Sequence, residues 1–336
     1  MPLLEAHFGG FFYWGILLTT FNKPALTHLE HIERLRNRNL LINNDDEAID
    51  YLSNISYFRL SAYTRPFYLP NVAEHTFMLG TAFSDVINLY LFDKELRLLL
   101  LDAIERIEVA LRTQVANTLA KHHGPHGYLD QSIFDNRYDH PKLLELIASQ
   151  SKGRDLETFI SHYKTKYTGA PKHPPIWMAV ELLTFKEIST LFSNLKLPRD
   201  TQAIEAHFGW KFTLLKSWFR SVSDLRNLCA HHSRVWNREF GSIPECPKRP
   251  PKNWPAIPAS VLVSSKNSVQ QYLNPQRRLY FQLIVIQSLM NRISPSSNWA
   301  KHLQELLDKN PKVSQVHMGF PSNWREQQFW LSSISQ

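Results

Sequence analysis

Apolar residues recur along this chain at steps of three and four, the spacing that gathers them on one side of an α-helix. Leu29, Ile32 and Leu35 set a first helix between Thr27 and Asn39. Asn43, Asn44 and Asp45 offer a cap, after which Ala48, Ile49, Leu52 and Ile55 set a second. The strongest pattern runs from Ala82 to Lys121, where Leu100, Ile104, Ile107, Leu111, Val115 and Leu119 form one unbroken stripe ended by Gly124-Pro125. Further helices are predicted at 141–151, 154–166, 176–195, 199–208, 211–239, 275–293 and 298–309. Breakers separate them at 168–175 (TGAPKHPP) and 241–258, the latter a linker or an irregular strap over the surface. No strand pairs and no internal repeat stand out. The expected architecture is all-α: a helical N-terminal unit at 23–75, a helical bundle at 76–295 and a helical appendage at 296–336. Residues 1–22 are set apart as an extension of uncertain standing.

Composition narrows the partners rather than the fold. With 336 residues, 43% of them hydrophobic, the chain can fill a sizeable core and is not disordered. Lys and Arg outnumber Asp and Glu by 38 to 30, a net +8 that leans toward a polyanion. Two cysteines exclude a disulfide scaffold or a zinc ribbon and suit a reducing cytosol. The apolar stretch Phe8–Leu18 is too short for a bilayer span and follows no Lys or Arg, so it also lacks the start of a secretory signal. These features predict a cytoplasmic protein with no membrane partner.

The chemistry concentrates in 214–240 (LLKSWFRSVSDLRNLCAHHSRVWNREF). Wound as one helix, this segment puts Leu214, Leu215, Trp218, Val222, Leu225, Cys229 and Trp236 on one side. Arg220, Ser223, Asp224, Arg226, Asn227, His231, Arg234, Asn237 and Arg238 then share the other. A plain solvated face is richer in Lys and Glu. Arginine suits phosphate because its planar fork donates paired hydrogen bonds, and histidine exchanges a proton near neutral pH. Together they can cleave RNA without a metal. A base takes the proton of a ribose 2′-OH, the oxygen attacks the adjacent phosphorus, and a cation stabilises the charge on the phosphoryl oxygens. An arginine five residues before a histidine is by itself a weak signal, and Arg226 with His231 is the pair of that spacing here.

The string RNLCAHHSRVWN (226–237) resembles the signature of the HEPN superfamily as found in Abi-type abortive-infection proteins, the AbiD/AbiF-like branch. KPALTHLEHIERLRNRNL, ISYFRLSAYTRPF, LFDKELRLLLLDAIERIEVALRT and PPIWMAVELLTFKEISTLFSNL are similar to that family's blocks in the same order, so the resemblance covers about 23–290. It implies a toxin-like, metal-independent endoribonuclease of antiphage defence that acts as a homodimer, needs no cofactor and leaves 2′,3′-cyclic phosphate ends. An RNA or protein antitoxin is implied as a partner. Carried onto matching positions, Arg226 is the phosphate-stabilising cation, His231 the general base or acid, and Asn227 their support. The alternative is a non-catalytic helical protein that uses the same basic face to bind RNA or another partner.

Other residues take lesser roles. Arg234, Arg220, Arg238, Asn237 and Arg59 are candidate RNA contacts, Arg59 because it lies among Tyr57, Phe58 and Tyr63. Glu105, Glu108 and Arg112 form a charged stripe expected to brace Arg226. His232 is expected as a core or boundary histidine beside Trp236 and Cys229, and Cys229 as an apolar filler. His122, His123 and His126 are expected to sit in a plain loop rather than a metal site.

Overall fold

The computed structural model describes residues 21–334, apart from 22, 71, 73–74, 154–155 and 265–269. The extension expected at 1–22 therefore lies almost wholly outside the described residues. Three helices open the fold: α1 (His28–Arg36), α2 (Asp45–Ile55) and α3 (Tyr57–Thr64). The side chains of Thr27 and Glu30 cap the start of α1 reciprocally, and Asn44 accepts from the Glu47 amide at 3.1 Å to start α2.

The spine is α4 (Phe83–His123), 41 residues and so about 60 Å of helix. Its stripe Leu100, Ile104, Ile107, Leu111, Val115 and Leu119 is wholly buried. Gly124, at φ +80°, ends it with its amide on the Ala120 carbonyl. α5 (His140–Gln150), α6 (Thr158–Lys166), the single turn α7 (Ile176–Ala179), α8 (Phe185–Ser193), α9 (Pro198–Phe208) and α10 (Phe212–Ala230) follow. The helix expected across 176–195 is broken at Leu183 and restarts from the Thr184 cap. After the strap come α11 (Leu279–Ile293), α12 (Trp299–Lys309) and α13 (Gln328–Ile334).

α3, α7, α8, α9, α10, α11 and α12 all pack on α4, so one core runs from the N-terminal unit to the C-terminal helices. The segment 241–258 is the strap: Trp218 Nε1 donates to the Glu245 carbonyl at 2.8 Å, and Trp254 packs its ring against Trp210 and Trp218. The C-terminal part is tied to the spine by Trp299 Nε1, which donates to the Leu99 carbonyl at 2.7 Å. Tyr280, Phe320, Trp324 and Trp330 form an aromatic cluster beside it.

One expectation is corrected. An antiparallel hairpin joins β1 (Val261–Ser264) to β2 (Gln270–Leu273), with Val261 opposite Leu273. Two four-residue strands are too short for an alternating pattern to stand out from a Ser- and Asn-rich surround. Among the described residues no helix is long and apolar enough to cross a membrane.

Candidate functional site

The apolar side of α10 is anchored as its spacing demands: Leu215, Trp218, Phe219, Val222, Leu225 and Cys229 are all buried. Burial pushes the Cys229 thiol up to about 12, the behaviour of an inert filler rather than a nucleophile. Ser223, expected on the polar side, is also buried.

The helix stops at Ala230, not at 239. His231 is the C-cap, His232 takes a left-handed conformation at φ +55°, and Ser233 N donates to the Leu228 carbonyl while His232 N donates to the Cys229 carbonyl. This is a Schellman ending, usually signalled by glycine at the left-handed position. Here a histidine fills it, one of the residues that tolerates positive φ. Two corrections follow. Arg234, Asn237 and Arg238 do not continue the helical face of Arg226, and His232 is exposed rather than packed with Trp236 and Cys229.

The returning loop is held from α4. Asp93, fully buried, accepts from the amides of Val235 at 3.1 Å and Trp236 at 2.6 Å, from the Tyr63 hydroxyl at 2.7 Å, and from Arg97. Burial pushes the Asp93 carboxyl up, and these donors pull the other way. Farther along, Asn237, at φ +47°, accepts from the buried Arg278, which also donates to the His317 carbonyl. Burial lowers Arg278 to about 10 and lowers Arg234 as well. Arg59 donates to the His232 carbonyl at 2.7 Å, linking α3 to the turn.

Within this frame neither Arg226 nor His231 is buried. The Arg226 side chain is 42% exposed and His231 is exposed. Arg226 leans on α4: its Nε lies 4.0 Å from Glu108 Oε2, and Glu108 Oε1 accepts from Arg112 at 2.5 Å. Arg112 also donates to the Val180 carbonyl, so the brace reaches the turn after α7. Glu105, grouped with it in the sequence, is exposed and makes no ion pair among the described residues. Asn227 Oδ1 is 3.5 Å from Arg226 NH1. His231, Asn227, Arg220 and Arg238 line one cavity of about 470 Å³, and Arg226 is not among its lining residues. In a single chain, then, the guanidinium faces α4 while the imidazole faces this cavity.

A family model described as Abi-like protein matches residues 50–237, more than half of the sequence. The chain belongs to the Abi-like family. The Abi-like match starts inside α2 and ends at Asn237, so it takes in Asp93, Glu108, Arg226 and His231. The strap and the C-terminal aromatic cluster lie beyond it. Comparisons with curated proteins and with solved structures gave no match.

Two histidines of HHGPHG are also corrected, while His126 lies in the turn after α4 as expected. His122 and His123 are not in a loop but in the last turn of α4, where Nδ1 of His122 and Nε2 of His123 lie 2.7 and 2.8 Å from the two oxygens of the buried Asp200. His126 Nε2 is 3.1 Å from the His173 carbonyl. Among the described residues no group of three or more His, Cys, Asp or Glu side chains is placed to hold a metal.

Asp93 and Arg97 are the part of the site that the sequence did not single out, and Tyr63, expected only as an aromatic near Arg59, joins them. A signal was available. Asp93 and Arg97 interrupt the buried run of Leu89, Phe92, Leu96 and Leu100 one turn apart, and a charge pair at such positions demands buried partners.

Proposed function

We propose that this Abi-like protein is an endoribonuclease of the HEPN superfamily that acts in abortive infection and cuts RNA without a metal. His231 takes the proton from a ribose 2′-OH, and the freed oxygen attacks the adjacent phosphorus. The 5′-oxygen leaves with a proton, giving a 2′,3′-cyclic phosphate and a 5′-OH. Arg226 stabilises the charge that develops on the phosphoryl oxygens, and Asn227 supports it. The observation that carries this reading is the exposure of both side chains at the end of a firmly anchored helix, with Arg226 braced by Glu108 and His231 opening on a cavity that Asn227, Arg220 and Arg238 also line.

Arg226 and His231 of one chain face different neighbours, which favours a site completed by two copies in a homodimer. Two basic faces repel each other, and Asp224, Glu239 and the RNA itself would offset that repulsion.

The test is purified protein incubated with RNA in a chelating buffer. The reading expects fragments with cyclic phosphate ends and a loss of about 10²- to 10⁴-fold in rate for His231→Ala. Cutting that is unchanged in that variant would overturn the assignment. A non-catalytic RNA-binding role is favoured by Arg220 in the cavity wall, which forms no ion pair among the described residues, and predicts binding without fragments.

A further inference from the structure

The cavity beside His231 is not closed. Across Arg220, Asp224, Gly241 and Ser242, residues common to both, it adjoins a larger groove of about 920 Å³ between α8 and α10, roofed by the strap at 241–245. Its walls carry two facing rows. Lys216 and Arg220 stand one turn apart on α10, with Thr213 one turn before them, and Lys186 and Thr190 stand one turn apart on α8. Among the described residues none of Lys186, Lys216 and Arg220 forms an ion pair. Lys216 rests over the Phe212 ring at 5.4 Å and lends only its field to Asp135. Three cations gathered along one groove make a local positive field that draws an external anion.

The lining also holds two carboxylates, Asp224 and Glu245, against these three cations, so it keeps one positive charge in excess. Asp224 accepts from the Ser242 hydroxyl, and the Glu245 amide donates to Ser217 at 2.8 Å, which ties the strap to α10. A further observation is independent of charge. Ser223, 2% exposed, lines the groove with its Oγ buried and without a hydrogen-bond partner. A buried hydroxyl of that kind is normally satisfied, and a ligand in the groove would supply its partner.

We propose that this groove seats the phosphates of the RNA strand flanking the scissile linkage, and so leads that linkage to His231. The inference rests on the cleavage reading above for its endpoint but not for its ligand. Hydroxyls and cations on both walls suit a sugar–phosphate strand better than a small apolar ligand. Phosphate contacts of this kind fix the register of the strand and carry no sequence preference.

The experiment measures binding of a single-stranded, 2′-O-methylated oligoribonucleotide of about ten nucleotides by fluorescence anisotropy across a salt series. The double variant Lys186→Glu/Lys216→Glu is compared with wild type and with Lys301→Glu/Lys309→Glu on the remote α12. The groove predicts binding weakened at least about tenfold in the first variant alone. It also predicts that the paired alanine variant flattens the log–log salt slope by about 1.4, roughly 0.7 per lost contact. Equal affinity and slope in all proteins would overturn it. Cutting of the all-ribose strand is followed in parallel; it should fall with affinity in the groove variant and match wild type in Lys301→Glu/Lys309→Glu. If wild type cuts no RNA but oligomer affinity still falls with the lysines, the cleavage reading fails and the groove stands.

Discussion

The two halves of the motif segment, Phe212–Ala230 and His231–Phe240, are adjacent in sequence and held by different physics. The first is a helix whose position follows from its own apolar period, with six apolar side chains buried where it packs on α4, α8 and α9. The second has no periodicity of its own. Its shape depends on a left-handed His232 and on acceptors and donors from elsewhere: Asp93, more than 140 residues upstream, and Arg278, about 40 downstream. The proposed cation belongs to the first half and the proposed base stands at the joint. A rigid helix therefore fixes one group, and a turn tied to the spine fixes the other.

The largest effect expected from this contrast is at Asp93. Asp93→Ala leaves Arg97 as an unpaired buried charge and frees two loop amides, at a cost of about 3–5 kcal/mol in chemical unfolding. A cost below about 1 kcal/mol would mean that the loop is held by something else. Next comes Glu108→Gln, which removes the charge between Arg112 and Arg226 at a cost of about 1 kcal/mol. Under the proposed function it also lowers cleavage, because Arg226 is freer to turn away. His232→Gly tests the joint itself. Glycine accepts positive φ without strain, so the variant should be as stable as wild type or up to about 1 kcal/mol more stable. It should also still cut RNA, whereas His231→Ala should not. Destabilisation by His232→Gly would contradict the Schellman assignment.

The smallest effect is a pH dependence. Burial and the neighbouring Arg278 hold His317 below its ordinary value of 6.5. The folded state then binds a proton less readily than the unfolded chain, so this contribution is complete above about pH 6.5 and is lost as pH falls toward the lowered value. Since Arg278 also anchors Asn237, acidification should loosen the loop half first. Thermal unfolding between about pH 7.5 and 5.5 should show a falling midpoint that His317→Asn flattens. An unchanged slope would remove His317 from the account.

The same contrast explains what the sequence made legible. The stripe of α4 and the buried side of α10 could be read residue by residue, because helical burial repeats every three to four positions. Past Ala230 the pattern failed. Arg234, Asn237 and Arg238 fit a helical spacing by coincidence, and the true stop lacked its usual glycine. The hold of Asp93 on Trp236 and the place of Lys186 of α8 in the groove depend on contacts distant in sequence, which no local window contains. Glu108 was legible as a brace from its spacing to Arg112, but which of Glu105 and Glu108 meets Arg226 depended on how α4 and α10 pack.

The most direct measurement follows one defined RNA, cut by the purified protein with a chelator present, beside the same RNA carrying a 2′-deoxy nucleotide at the cut position. Attack by the 2′-oxygen predicts cutting of the all-ribose strand to a cyclic phosphate end, no cutting at the deoxy position, and neither product with His231→Ala. Cutting at the deoxy position would contradict it.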